Sequence, residues 1–333
     1  MPIPASGTGR GLSNSAAKGT RTDSNWGTDG AIWRAISPPL VPSVEDVELV
    51  RKACPPELIK PSAAPRILLL GVTPMLAGAA WPALSELHAV DYDQVMIDTL
   101  WQPREHAYCH CARWQEMPFP DGFFDLVIGD CSFNALPATA DYPEVLREIA
   151  RVSRPSAPLI CRFFMQSQPR LSLGELAREA AGRFGEYSSA ARRLLIPIAA
   201  SEDDGTIHWT DIPHRICEQF GDVAAFLAVL GQEGEDKARA LRTYELDQWL
   251  NYPSPERIRE IFGQYYSEIG FNYPDYDCGQ FCPIVRCLPS SAEFTGTSAC
   301  TASGREPSLR LRRYQAASRA RKALRLGVRS ESR

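Results

Sequence analysis

Long apolar runs are missing from this 333-residue chain: LLIPIAA and FLAVL are short and flanked by charge. A membrane-spanning helix needs about 20 consecutive apolar residues, so none is expected and the protein reads as soluble. The N-terminus has basic and hydroxyl residues and no acid before Asp23, yet it lacks the apolar stretch of a secretory signal. A cytoplasmic location is therefore expected, with an organelle transit peptide as the alternative. Paired C-x-x-C spacings are absent too. The ten cysteines are scattered, which points to free, mostly buried thiols rather than a disulfide framework.

Charge is present in both signs but unevenly placed. From Arg305 to Arg333 ten Arg and Lys face two Glu, a net of +8, which leaves −12 for the rest of a chain whose total is −4. Such a tail reads as a solvated, partly disordered extension without aromatic interleaving. It leaves nucleic acid open as a partner, while the acidic remainder would repel phosphate and favours a small-molecule acceptor.

Along the chain, RILLLG, HAVDYD, HAYCHCARW, FFDLVIGDCSF and PLICRFF read as strands. Ser43 to Ala53, MLAGAAWPALSEL, QVMIDTLW and Tyr142 to Val152 read as the helices around them. This alternation predicts an α/β fold, a doubly wound and mostly parallel sheet of about seven strands. Helical spacing then takes over in Leu171 to Phe184, Glu218 to Leu230, Asp236 to Leu250 and Ser254 to Ile269, with RLLIPIA as a strand and TIHWT too short to assign. A strand hairpin returns at YDCGQFCPIVRCL. The organisation expected is residues 1–24 disordered, 25–65 an arm and helix, 66–168 the core, 169–270 a helical insertion or lid, 271–288 a closing hairpin and 289–333 the basic tail.

The strongest constellation is Gly71 ending the first strand and Asp91 ending the second. In open α/β sheets ligands bind beyond the carboxyl ends of strands, where a glycine allows close approach and an acid accepts hydrogen bonds from ribose hydroxyls. A dinucleotide site wants G-x-G-x-x-G to cradle a pyrophosphate, but here Gly71 is followed by Val72, Thr73 and Pro74. That glycine-poor loop counts against a phosphate-bearing cofactor. It suits a cation, as do the acids Asp91, Asp93 and Asp130 near strand ends.

Three ordered motifs, VDYDQVMI, ARWQEMPFPDGFFDLVIGD and LREIARVSRPSAPLICRFF, resemble those of class I S-adenosylmethionine-dependent methyltransferases over roughly 100 residues. The resemblance implies a Rossmann-like fold, methyl transfer to a small-molecule acceptor and S-adenosyl-L-methionine as cofactor. Carried over by position, Gly71, Val72 and Thr73 border the methionine portion, Asp91 holds the ribose, and Met96, Trp114 and Gln115 approach the adenine. Asp130 lies beside the reactive methyl, both as a cofactor contact and as a candidate base, with Ser132 and Asn134 orienting. Asp125, at the start of its strand, is structural.

Two departures stand out. Arg113 occupies the region where the family often has an acid for the adenine amine, and arginine cannot accept that hydrogen bond; Ser156-Ala157 replaces the usual Gly-Gly. They keep two alternatives open, an inactive methyltransferase-like binding or regulatory protein and a nicotinamide-dependent oxidoreductase. His208 and His214 are further candidate bases. Trp209, Tyr244, Trp249 and Tyr252 are candidates for an apolar acceptor site. Cys109-His110-Cys111 alternates across a strand and cannot easily converge on one ion, and Cys278, Cys282 and Cys287 read as small hydrophobes, so no metal is expected.

Overall fold

Strand β1 (Arg66–Leu70) shows why the sheet lies at the centre. Ile67 and Leu69 point to one face and Leu68 and Leu70 to the other, and all four are at most 1% exposed. Only a strand covered on both sides can bury such a run. The computed structural model describes residues 36–180, 189–229 and 248–289. The predicted N-terminal segment to residue 24, the tail from residue 290, Tyr244 and most of the predicted helix from Asp236 lie outside them.

β1 joins β2 (Glu86–Asp91), β3 (Ala107–Cys111), β4 (Leu126–Asp130), β5 (Leu159–Arg162), β8 (Glu268–Asn272) and β9 (Ile284–Leu288) in a seven-stranded sheet of order β3-β2-β1-β4-β5-β9-β8. β1 to β5 pair in parallel, and β9 runs antiparallel to both of its neighbours. The α/β, mostly parallel architecture is the one the sequence predicts. Strand order reverses between β1 and β4, and a crevice opens at their carboxyl ends.

One face of the sheet is covered by α1 (Val44–Ala53), α3 (Pro74–Ala77) and α4 (Gln94–Leu100), with the single turn α2 (Pro56–Ile59) beside them. The other is covered by α5 (Tyr142–Val152) and α10 (Pro255–Phe262). α1 starts at a capping box in which the Ser43 hydroxyl accepts from Asp46 N–H and Asp46 accepts from Ser43 N–H. A third core gathers Leu194, Leu195, Ile198, Ile212, Ile216 and Phe226 from α7 (Ser189–Ala200), α8 (Ile212–Phe220) and α9 (Val223–Val229), alongside α6 (Leu173–Ala180). A two-stranded ribbon of β6 (Thr206–His208) and β7 (Trp249–Asn251) completes this part.

Several expected elements differ. RLLIPIA is helical, within α7, because an unbroken apolar run fits a fully buried helix as well as a buried strand. TIHWT supplies β6, and the helix expected to reach Leu250 gives way to β7, whose partner is distant in sequence. The helix from Ser254 stops at Phe262 with Gly263 as its cap, and Glu268–Asn272 is strand, so the closing hairpin begins before residue 271. Its connection holds YDCGQFC as a loop with one 3-10 turn, Gly279–Phe281. MLAGAAWPALSEL keeps only the turn Pro74–Ala77, ended at Gly78.

Candidate functional site

At the end of β1, Gly71 turns out of the sheet with φ +95°, while its N–H still donates to the Val90 carbonyl at 2.8 Å. Few residues other than glycine hold that conformation. Val72 and Thr73 follow as buried residues, and α3 lasts a single turn, so no long helix presents its N-terminus as an anion cradle. Asp91 ends β2 opposite. Its Oδ1 accepts from Asp93 N–H at 2.9 Å, and burial pushes its carboxyl up to about 6. Asp93 in turn caps α4, accepting from Val95 and Met96 N–H. Through that cap, sequence directly after β2 sets Met96 and Leu100 into the wall of a cavity of about 220 Å³.

Trp114 lines the same wall, fixed by an indole N–H that donates to the Val90 carbonyl at 2.7 Å. Of the predicted cofactor residues, Gly71, Val72, Thr73, Asp91, Met96, Trp114 and Asp130 all line the cavity. Gln115 is not among its lining residues, and Arg113 is exposed, its backbone carbonyl accepting from Glu116 N–H.

Across the crevice, Asp130 is not a solvated base. Its Oδ1 accepts from Arg162 Nε at 2.6 Å, and the side chains of the two are 3% and 1% exposed. Burial pushes the Asp130 carboxyl up, and the guanidinium works against that shift. Arg162 Nη1 also donates to the Pro39 carbonyl at 2.9 Å and reaches Asp46 Oδ2 at 3.4 Å, while the Tyr276 hydroxyl donates to Asp46. Ser132 Oγ donates to the Leu70 carbonyl at 2.7 Å. Asn134 donates to the Phe164 and Asn251 carbonyls and accepts from Phe164 N–H. The predicted catalytic trio therefore borders the cavity with polar atoms committed to the scaffold. Cys131, which sequence reasoning missed, sits between them at φ +51° as a lining residue, and burial keeps its thiol protonated.

The remaining wall comes from Ile36 and Leu40 of the arm, Phe164, and Arg193, Trp209, Gln248, Leu250 and Tyr252 of the insertion. No local pattern marks Ile36, Arg193 or Gln248; only the fold brings them here. Of the aromatics offered for an acceptor site, Trp209 and Tyr252 line the cavity, whereas Trp249 packs edge-on against His208. Neither predicted histidine base reaches the cavity: His208 bonds Thr210 Oγ1, and His214 pairs with Glu218 while 74% exposed. Asp125 lies at the amino edge, accepting from Arg66 N–H and pairing with Arg154. Among the described residues no His, Cys, Asp and Glu group is arranged to hold a metal, and no helix is long and apolar enough to cross a membrane.

Residues 71–161, spanning the Gly71 loop to β5, match the methyltransferase domain family. A curated relative, malonyl-[acyl-carrier protein] O-methyltransferase of Halorhodospira halophila, is 30% identical over 113 residues, which are 32% of this chain and 34% of that protein. The match thus spans about a third of the relative's length. Among solved structures, one from Rhodobacter sphaeroides named for Zn-dependent alcohol dehydrogenases aligns over 80% of this chain and 96% of its own, with a TM-score of 0.49 and 14% identity. A SAM-dependent methyltransferase from Methanosarcina mazei aligns over 73% and 98%, with a TM-score of 0.40 and 14% identity.

Proposed function

We propose that the chain carries a class I S-adenosylmethionine-dependent methyltransferase domain, as the match of residues 71–161 to the methyltransferase domain family supports, and that its cavity serves methyl transfer to a small-molecule acceptor. The observation that carries the reading is continuity. One cavity runs from Gly71, Asp91 and Trp114 past Asp130 to Phe164, Trp209 and Tyr252, so a cofactor on the first group and an acceptor on the last would share one continuous space.

The residues fit this cofactor. Gly71 leaves the loop mouth without a Cβ, in a conformation other side chains rarely adopt. Asp91 offers a carboxylate at ribose-binding position, and Met96 and Trp114 supply apolar surface for the adenine. S-adenosylmethionine, when bound, supplies an activated methyl on a sulfonium. The chain's own part is positioning and water exclusion, which account for much of the rate in such transfers. Asp130 serves as a fixed wall held by Arg162 rather than as a proton acceptor, and an acceptor nucleophile would be oriented by the insertion. The relative's name makes a carboxyl oxygen one instance of the acceptor chemistry.

Calorimetric titration with S-adenosylhomocysteine tests the reading. Micromolar binding is expected for the wild type, weakened by about 10-fold or more in Asp91→Ala, in line with loss of hydrogen bonds to a charged group. Unchanged affinity in a folded variant would refute the ribose assignment, and no binding at millimolar nucleoside would refute the function.

A further inference from the structure

The ribbon of β6 and β7 gives the acceptor half of the cavity a wall of its own. Successive side chains of a strand point to opposite faces. Gln248, Leu250 and Tyr252 accordingly all line the cavity, while Asn251 turns the other way into the core. Asn251, fully buried, donates to the Phe133 and Leu136 carbonyls, and its Oδ1 accepts from the Tyr142 hydroxyl. Trp209 N–H donates to the Gln248 carbonyl at 3.1 Å, and Tyr252 N–H to the Gly205 carbonyl at 2.8 Å. The strand is pinned from behind and at both ends, which fixes the backbone from which the Gln248 side chain departs.

That side chain carries an unmet demand. Gln248 Oε1 is buried and accepts no hydrogen bond from the described residues. Buried polar atoms of native proteins ordinarily find a partner, and an amide oxygen without one bears a desolvation cost that a ligand O–H or N–H relieves. The walls around it are apolar and aromatic, from Leu40, Phe164, Trp209 and Tyr252, and flat side chains favour a ring. Asp130 and Arg193 line the cavity too, but each has a contact inside the protein, so neither calls for a charged ligand.

We propose that the acceptor is a small, flat aromatic molecule that donates an O–H or N–H to Gln248 Oε1, its ring seated among Leu40, Phe164, Trp209 and Tyr252. The proposal rests on the methyltransferase reading for its position beside the cofactor, and on the ribbon for its chemistry. An apolar slot separates similar rings only weakly, whereas a site built to receive a donor strongly rejects the analogue that lacks one. Gln248 is thus the residue that sets specificity.

Binding of three probes to the full chain is measured with and without S-adenosylhomocysteine: 4-methylphenol, toluene, which lacks the donor, and 4-methylcyclohexanol, which lacks the flat ring. The wild type should bind 4-methylphenol about 10-fold more tightly than toluene, as one hydrogen bond to an otherwise unsatisfied oxygen would give, and more tightly than 4-methylcyclohexanol. Gln248→Leu should bring 4-methylphenol and toluene within about 2-fold, while Gln248→Glu, which keeps an acceptor oxygen, retains the preference. Equal binding of 4-methylphenol and toluene by the wild type, a ratio unmoved in folded Gln248→Leu, 4-methylcyclohexanol binding as tightly as 4-methylphenol, or no probe binding at millimolar concentration to nucleoside-loaded protein would each overturn the proposal. Failure of the nucleoside itself to bind would strike the methyltransferase reading instead, and the phenol-over-toluene ratio without nucleoside would still report on Gln248.

Discussion

The two ends of the cavity are built by different means. At the Gly71 end the bonds are short in reach: Gly71 and Trp114 both donate to Val90, Asp91 accepts from Asp93, and Asp93 caps the helix that carries Met96. At the Asp130 end they join distant segments. Arg162 ties β5 to the arm at Pro39 and to α1 at Asp46, and Asn251 of β7 donates to the carbonyls of Phe133 and Leu136. Geometry at the first end follows from strand ends that any sheet of this order provides. Geometry at the second is assembled by groups from β5, the arm, α1 and the insertion, segments far apart in the chain.

The hardest test of this contrast is Arg162→Met. Removing a buried partner leaves Asp130 and Asp46, whose side chains are 3% and 1% exposed, without their counter-charge. A loss of about 3–5 kcal/mol at neutral pH is expected. The sign with pH is diagnostic. Burial already raises the Asp130 carboxyl above its ordinary value, and without Arg162, which works against that shift, it should rise further. Such groups add stability below the unfolded pKa and lose it as pH rises through the folded one, so the variant should be weaker at pH 8 than at pH 5 relative to wild type. Urea denaturation at both pH values reads the difference. A deficit equal at the two would mean that Arg162 acts through packing alone.

Legibility in the sequence divides along the same line. The apolar runs ending in Gly71 and Asp130 marked β1 and β4, and the short strand ending in acids at Asp91 marked β2, because burial on both faces leaves a composition that needs no tertiary context. The seven-stranded, mostly parallel sheet followed from there. RLLIPIA misled for the converse reason: α7 is buried nearly all round, so its periodicity is erased and an apolar run looks like strand. β7 was hidden because its pairing with β6 is fixed by a distant segment. Asp130 was visible as a strand-end acid, but nothing local announced that Arg162, one strand over, would occupy it.

A second test, of intermediate size, sets stability against binding at the Gly71 end. The Asp91 carboxyl is raised to about 6 by burial, from 3.8. It therefore stabilises the fold fully only below 3.8, and that contribution is lost as pH rises through about 6. Asp91→Asn keeps the Oδ1 acceptor for Asp93 N–H and removes the buried charge, so it should stabilise the protein by roughly 1–3 kcal/mol at pH 7.5 and hardly at pH 4. S-adenosylhomocysteine affinity should move the other way, falling in the variant, and in the wild type falling as pH drops below about 6. A variant that neither gains stability nor loses affinity would remove Asp91 from the functional end altogether.

The smallest effect belongs to the flank of β2 away from the cavity. His88 is 9% exposed, its Nδ1 lies 3.2 Å from His110 Nε2, and its ring meets the rings of Phe119, Phe123 and Phe124. Burial first, then the neighbouring His110, lowers its pKa to about 4 from 6.5. The fold thus holds His88 neutral, a contribution complete above pH 6.5 and lost as pH falls through about 4. About 1–2 kcal/mol should disappear across that window by this route, discounted for partial solvent contact. His88→Leu should flatten the acid limb of a Tm-against-pH curve without altering the limb above pH 7. Because β2 carries both His88 and Asp91, acid acts on one strand in opposite senses, relieving Asp91 near pH 6 before it charges His88 near pH 4. An acid limb as steep in His88→Leu as in the wild type would move the acid sensitivity to groups such as Glu148 of α5, whose carboxyl the Arg151 guanidinium holds below its ordinary value.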